Sequence, residues 1–205
     1  VTCPFDAFLL TAMAPPDGVL AYHTALELHG RAYSTFNRLY YLSAQQQRTW
    51  TFRSYTFQRV VFPASLVRAK HEKFGVQTAD RGGEQVHVTS LERTLVDVLD
   101  RLDLAGDYEE AWRSLESVEY FDLDSVVEYA LLLGNATTVA KVGFFLEQHR
   151  EQLMVDDGHL NSLHGHLPKR PHYLDRGSTA ESRFVRKWNL MVPQQVLDRS
   201  WRENP

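Results

Sequence analysis

The chain has 205 residues, a mass of 23.6 kDa, and 43% hydrophobic, 12% aromatic and 23% charged residues. This is the make-up of one large globular domain or two small ones, and it excludes collagen-like and disordered chains. The single cysteine, Cys3, can neither close an intrachain disulfide nor supply a thiolate zinc cluster, so a stapled secreted scaffold is excluded and a reducing cytoplasm is expected.

The formal net charge of -4 conceals three blocks. Val1 to Val88 carries nine Lys/Arg against six Asp/Glu, Thr89 to Asp157 five against sixteen, and Gly158 to Pro205 eight against four. An acidic middle between basic ends describes either solvated surface helices or a bipolar molecule that docks a partner through complementary patches. No stretch reaches the roughly 18 to 20 consecutive apolar residues of a membrane-spanning helix, so no membrane association is expected.

In chain order, Pro4 to Ala14 reads as a helix and not as an export signal, because it lacks a basic start and a small-residue cleavage site. Pro15-Pro16-Asp17-Gly18 then makes a turn, and Tyr22 to His29 a second helix closed by Gly30. From Arg38 the composition turns aromatic and β-branched, which predicts strands at Leu39–Leu42, Thr49–Phe52, Tyr55–Phe62, Phe74–Thr78 and Gln85–Val88. Gly82 and Gly83 suit the tight turn of the last hairpin.

At Thr89 the hydrophobic period changes from two to 3.6. Thr89-Ser90-Leu91-Glu92 fits a capping box, with Thr89 as the cap and Glu92 reaching back to it. Leu91, Leu95, Val98 and Leu102 form one core stripe. Further helices are expected at Gly106–Ser117, Asp122–Leu133, Thr137–Leu153 and Asp156–His166, with Gly134-Asn135 as a left-handed cap. Pro168-Lys169-Arg170-Pro171 ends the last of these, and Phe184–Leu190 alternates as one returning strand. The fold class is therefore α/β (α+β): a mostly antiparallel sheet in residues 1–88 and a helical region in 89–205, as one compact unit or two closely packed subdomains.

Phosphate-loop, dinucleotide-binding, zinc-protease, nucleophile-elbow and ordinary protein-kinase signatures are absent from the sequence. His159, His164, His166 and His172 lack the spacing and the partner ligands of a metal site. Two clusters carry possible chemistry. Arg93 and Asp97 stand at i and i+4, followed by Asp100 and Arg101, on the face opposite the leucine stripe. They form either a surface ion-pair ladder or a group that orients magnesium or phosphate. Arg59, Arg68, Lys70, Lys73 and Arg81 form either a phosphate-facing surface or an ordinary basic sheet face.

Three strings then stand in a recognisable order: Ala25-Leu26-Glu27-Leu28-His29-Gly30, Val88 to Asp97, and Leu133-Gly134-Asn135 leading to Val142 to Gln148. Together they resemble the AbiEi family of antitoxins from bacterial type IV toxin–antitoxin systems, over about Pro4 to Trp201. The resemblance implies neutralisation of a co-encoded nucleotidyltransferase-like toxin in the cytoplasm. Similar antitoxins include atypical serine/threonine kinases that inactivate the toxin by phosphorylating it, which implies ATP and magnesium as cofactors. Family members also carry an N-terminal winged helix that represses their operon. Nothing in this sequence matches that domain, so operator binding by that route is not expected. The alternatives are an antitoxin that occludes the toxin without chemistry and a DNA-binding regulator using the basic Arg31 to Val88 surface.

The resemblance assigns no individual residue. The clusters supply the candidates for phosphoryl transfer. Asp97, Arg93 and Glu92 are expected to be catalytic, Lys70, Lys73 and Arg81 to bind the cofactor phosphates, and Asp97 and Asp100 to ligate magnesium.

Overall fold

The computed structural model describes residues 5–202; Cys3 and the first residue of the predicted N-terminal helix, Pro4, lie outside them. Asp6 caps helix α1 (Ala7–Met13), its carboxylate accepting from the amides of Phe8 and Leu9. The Pro-Pro-Asp-Gly turn leads into a short strand the alternation did not predict, β1 (Val19–Leu20), and then α2 (His23–Leu28). Two residues are too few to show a period, yet β1 sits at the centre of the sheet with both residues buried.

The expected strands form as β2 (Arg38–Leu42), β3 (Trp50–Phe52), β4 (Tyr55–Val60), β5 (Val76–Arg81) and β6 (Glu84–Thr89). A helix not expected from the sequence, α3 (Ala64–Ala69), lies between β4 and β5. The sheet order is β3-β4-β2-β1-β6-β5. Pairings β1–β2, β3–β4 and β5–β6 are antiparallel, while β2–β4 and β1–β6 are parallel. The β2–β4 pair is parallel because the chain first crosses to the sheet edge and returns through the β3–β4 hairpin. Gly82 and Gly83, both at positive φ, turn the β5–β6 hairpin as predicted.

The helical half begins with α4 (Leu91–Asp100) and a single 3-10 turn, then α5 (Tyr108–Glu116), α6 (Leu123–Leu133), α7 (Ala136–Gln148) and α8 (Asp157–His164). The cap of α4 is Ser90 and not Thr89: the Ser90 hydroxyl accepts from the Arg93 amide, while Thr89 ends β6, buried, with its hydroxyl on Thr94. Gly134 ends α6 in the left-handed region, and Asn135 starts α7 as its N-cap. The helix expected to reach Leu153 stops at Gln148, where His149 turns its ring back onto the Phe145 carbonyl and Glu116.

The single returning strand expected at the end is a three-stranded sheet of order β7-β9-β8, from β7 (His172–Tyr173), β8 (Ser182–Val185) and β9 (Leu190–Pro193). Asn189, at positive φ, makes the turn that divides the expected strand. A short helix, α9 (Gln194–Asp198), follows β9.

The largest hydrophobic core joins both halves, since Leu26 of α2 and Leu66 of α3 pack into the same cluster as α4, α5, α6 and α7. Among the described residues, no helix is long and apolar enough to cross a membrane.

One contact fixes the C-terminal sheet on the helices. Trp188 is fully buried against α7, with its indole N–H on Glu147 at 2.6 Å. A Cβ on Gly143 would lie 2.0 Å from the indole ring. Gly143→Ala is expected to destabilise the protein by about 2 kcal/mol or more through forced repacking of the indole. Urea denaturation followed by Trp fluorescence checks this.

Candidate functional site

Helix α4 is buried on both sides, from Arg93 through Leu99, so the expected surface ladder is corrected to a core network. Arg93 is fully buried and Asp97 is 2% exposed. The guanidinium Nε donates to Asp97 Oδ2 at 3.2 Å, and Nη1 donates to the carbonyls of Glu72 and Phe74 at 2.8 and 2.7 Å. The guanidinium also lies 5.2 Å from the Tyr129 ring centroid, and the Tyr129 hydroxyl donates to Asp97 Oδ1 at 2.7 Å. Gly75, at φ +58°, lets the chain pass this close, because a Cβ there would meet the Arg93 Cβ at 2.9 Å. Burial pushes the Asp97 carboxyl above its usual range, opposed by Arg93 and the Tyr129 hydroxyl.

The other predicted residues lie elsewhere. Glu92 is not in a capping box; its carboxylate accepts from the Asp122 amide at the start of α6. Arg81 pairs with Asp6 at 2.7 Å and covers Phe8, tying the β5–β6 hairpin to the cap of α1. Lys70 and Lys73 do come together, on a groove of about 740 Å³ whose walls include Val19, Phe62 and Val76. Neither ammonium has a hydrogen bond or ion pair among the described residues. Asp100 faces a different cleft, of about 670 Å³, and accepts there from Asn135 and Thr138. The predicted cofactor, magnesium and catalytic residues are thus divided among the core, a helix cap, a hairpin, a groove and a cleft.

Sequence reasoning passed over Lys141, which lines the cleft with Asp100 and is 8% exposed. Its place in the apolar run of α7 between Ala140 and Val142 was the available signal, since a lysine within a buried run carries an unusual cost. His23, the first residue of α2, is fully buried. Its two ring nitrogens face Glu27 at 2.9 Å and Glu110 at 3.0 Å, and the ring stacks on Phe36. The Glu110 carboxylate also accepts from the amide and hydroxyl of Ser34. Burial pushes this carboxyl up, but the Ser34 bonds and His23 hold it below its usual range.

No family model and no curated protein sequence matches the chain. Among solved structures, it is similar to the crystal structure of the Rv2827c protein from Mycobacterium tuberculosis, with a TM-score of 0.61 and 16% identity. The match covers 94% of this chain and 68% of that one. At this identity the likeness shows a shared fold.

Two measurements test the site's physics. Arg93→Ala strands a buried carboxylate and frees two carbonyls, so a loss of about 3 to 5 kcal/mol is expected, against about 1 to 3 kcal/mol for Tyr129→Phe. Urea midpoints of the two variants check the order. Because Glu110 binds its proton less readily in the folded state, it contributes stability above the ordinary glutamate range, and this is lost as pH falls through its lowered value. Glu110→Gln should flatten the acid limb of a stability-against-pH profile.

Proposed function

We propose that this chain is the antitoxicity region of an AbiEi-like antitoxin, and that it neutralises a co-encoded nucleotidyltransferase-like toxin in the cytoplasm by binding it. The strings that carry the resemblance fall on the framework: the end of α2, the β6–α4 junction with its buried Arg93–Asp97 pair, and the α6–α7 corner.

The observation that favours binding over chemistry is the state of Asp97. Both of its oxygens are engaged, by Arg93 and by Tyr129, and it is 2% exposed, so it does not fit a magnesium ligand. Asp100 stands apart from Lys70 and Lys73, so the predicted metal and phosphate residues do not meet around one Mg-ATP. No phosphoryl-transfer step is derived from them.

A second reading, phosphorylation of the toxin, is supported by the unpaired Lys70 and Lys73 on their groove, which offers two cations to the phosphates of ATP. Mg-ATP bound there would supply the transferable phosphoryl group. Of the carboxylates that line the same groove, Glu72 then stands in for Asp97 and Asp100, since Asp17 has both oxygens engaged, by the Ser43 hydroxyl and the Ala44 amide.

Incubation of the whole chain with its toxin, ATP and magnesium, followed by gel filtration and intact-mass spectrometry, separates the readings. The expected outcome is a co-eluting complex in which the toxin mass is unchanged. A toxin heavier by one phosphoryl group, with the gain abolished by Lys70→Ala/Lys73→Ala, overturns the binding reading in favour of the second. Neither complex nor mass change overturns both.

A further inference from the structure

The cleft beside Lys141 is walled by the end of α4, the first turns of α7 and the segment after β7. The Lys141 residue is more than nine-tenths buried, yet its ammonium makes no hydrogen bond and no ion pair among the described residues. The Lys141 ammonium has no direct partner and keeps its solvent contact at the cleft, and a cation so placed on a mostly buried side chain is stabilised when an anion enters. Burial pushes Lys141 down in pKa, and the nearby charges of Asp100 and Asp175 offset this only in part. The second cation is Arg176, exposed on the wall after β7 that faces α7, whose only hydrogen-bond contact among the described residues is a long one of 3.5 Å to His172 Nδ1. Arg101 does not compete for a ligand, being closed on Asp103 by two bonds of 2.9 and 2.7 Å.

The rest of the lining asks for donors. Asp100 Oδ1 accepts from Asn135 and Thr138, Asp107 Oδ1 from the Glu110 amide, and Asp175 Oδ1 from the Gly177 amide. Each leaves its second oxygen without a hydrogen bond among the described residues. A second anionic group is repelled at that end. A hydroxyl satisfies these oxygens without setting another cation beside Lys141 and Arg176. Lys141 and Arg176, the two cations of the lining without an ion pair among the described residues, can meet a phosphate group at their end, while Asp100, Asp107 and Asp175 leave the lining as a whole with one net negative charge and confine that group to the cationic end. The cleft volume of about 670 Å³ suits a small molecule. Tyr173, 52% exposed at the rim, offers an aromatic face to a sugar ring.

We propose that this cleft binds a small hydroxylated phosphate monoester, with its phosphate on Lys141 and Arg176 and its hydroxyls on Asp100, Asp107 and Asp175. A ligand held in this way bridges α4, α7 and the segment after β7. The site is separate from the Lys70–Lys73 groove and needs no toxin, so its failure leaves the antitoxin reading untouched.

The test is calorimetric titration of the whole chain with ribose 5-phosphate, with inorganic phosphate, and with spermidine as a cationic probe. Saturable binding of ribose 5-phosphate, tighter than that of inorganic phosphate and accompanied by a rise in Tm, is expected. Lys141→Met keeps the volume and removes the buried charge, so it should bind at least about tenfold more weakly while unfolding at no lower temperature. Arg176→Gln, on the surface, should also weaken binding without altering Tm in the absence of ligand. If inorganic phosphate binds as tightly as ribose 5-phosphate, the hydroxyl assignment is overturned. Lack of saturation by either phosphate, binding of spermidine alone, or unchanged affinity in Lys141→Met overturns the site.

Discussion

The buried ion pair of Arg93 and Asp97 is the interaction on which the rest of this structure depends. Two charges taken out of water stabilise a fold only when their remaining hydrogen-bonding positions are filled. Here most of them are filled, from two sides: by two carbonyls of the segment before β5, and by Tyr129 of α6, whose hydroxyl bonds Asp97 and whose ring faces the guanidinium; Arg93 Nη2 is left without a hydrogen bond among the described residues. The pair therefore joins elements far apart in the chain, and none of them can shift without exposing an unpaired charge to an apolar interior. Gly75 belongs to the same constraint, because only a residue without a side chain passes so close to Arg93.

This node also shows where sequence reading stops. An arginine and an aspartate at i and i+4 meet on any helix, and the spacing is the same whether that face looks to solvent or to a second layer. Leu95 and Val98 marked one buried face of α4 correctly, and Leu102 is buried in the 3-10 turn after it. What contradicted a solvated opposite face was the presence of Val96 and Leu99 off the stripe, since a helix apolar on two sides lies inside. The same limit explains the other differences. Thr89 and Ser90 are both competent caps, and the choice fell to Ser90 because Thr89 was needed to end β6. β1 is too short to show alternation, and α3 has too few residues to show a helical period. Strands with a clear alternation and helices with a clear stripe were legible, and so was the glycine hairpin at Gly82-Gly83.

The candidate site was less legible than the fold because charge along the chain does not report distance in space. The acidic middle block mixes roles: Asp97 is core, Glu92 and Asp122 meet at a helix start, Glu110 holds His23, and Asp100 faces a cleft. The basic block divides likewise, with Arg81 spent on Asp6 and Lys70 and Lys73 open together on one groove. Counting charges finds groups in need of partners; the topology decides which have found them.

Helix α7 makes the last connection between fold and site. It is buried along most of its length, and two positions only two residues apart serve opposite purposes. Gly143 gives up its side chain so that Trp188 can seat against the helix, which fixes the C-terminal sheet in place. Lys141 keeps a charge where apolar packing would be more stable, facing the wall that this sheet carries, with Tyr173, Asp175 and Arg176 on it. The seated indole thus anchors the sheet whose first strand brings Tyr173 to the cleft, and Lys141 is the mostly buried cation on the helix opposite. A methionine at position 141 would fill the same volume without a charge to bury, so the ammonium is a cost that a ligand in the cleft would offset.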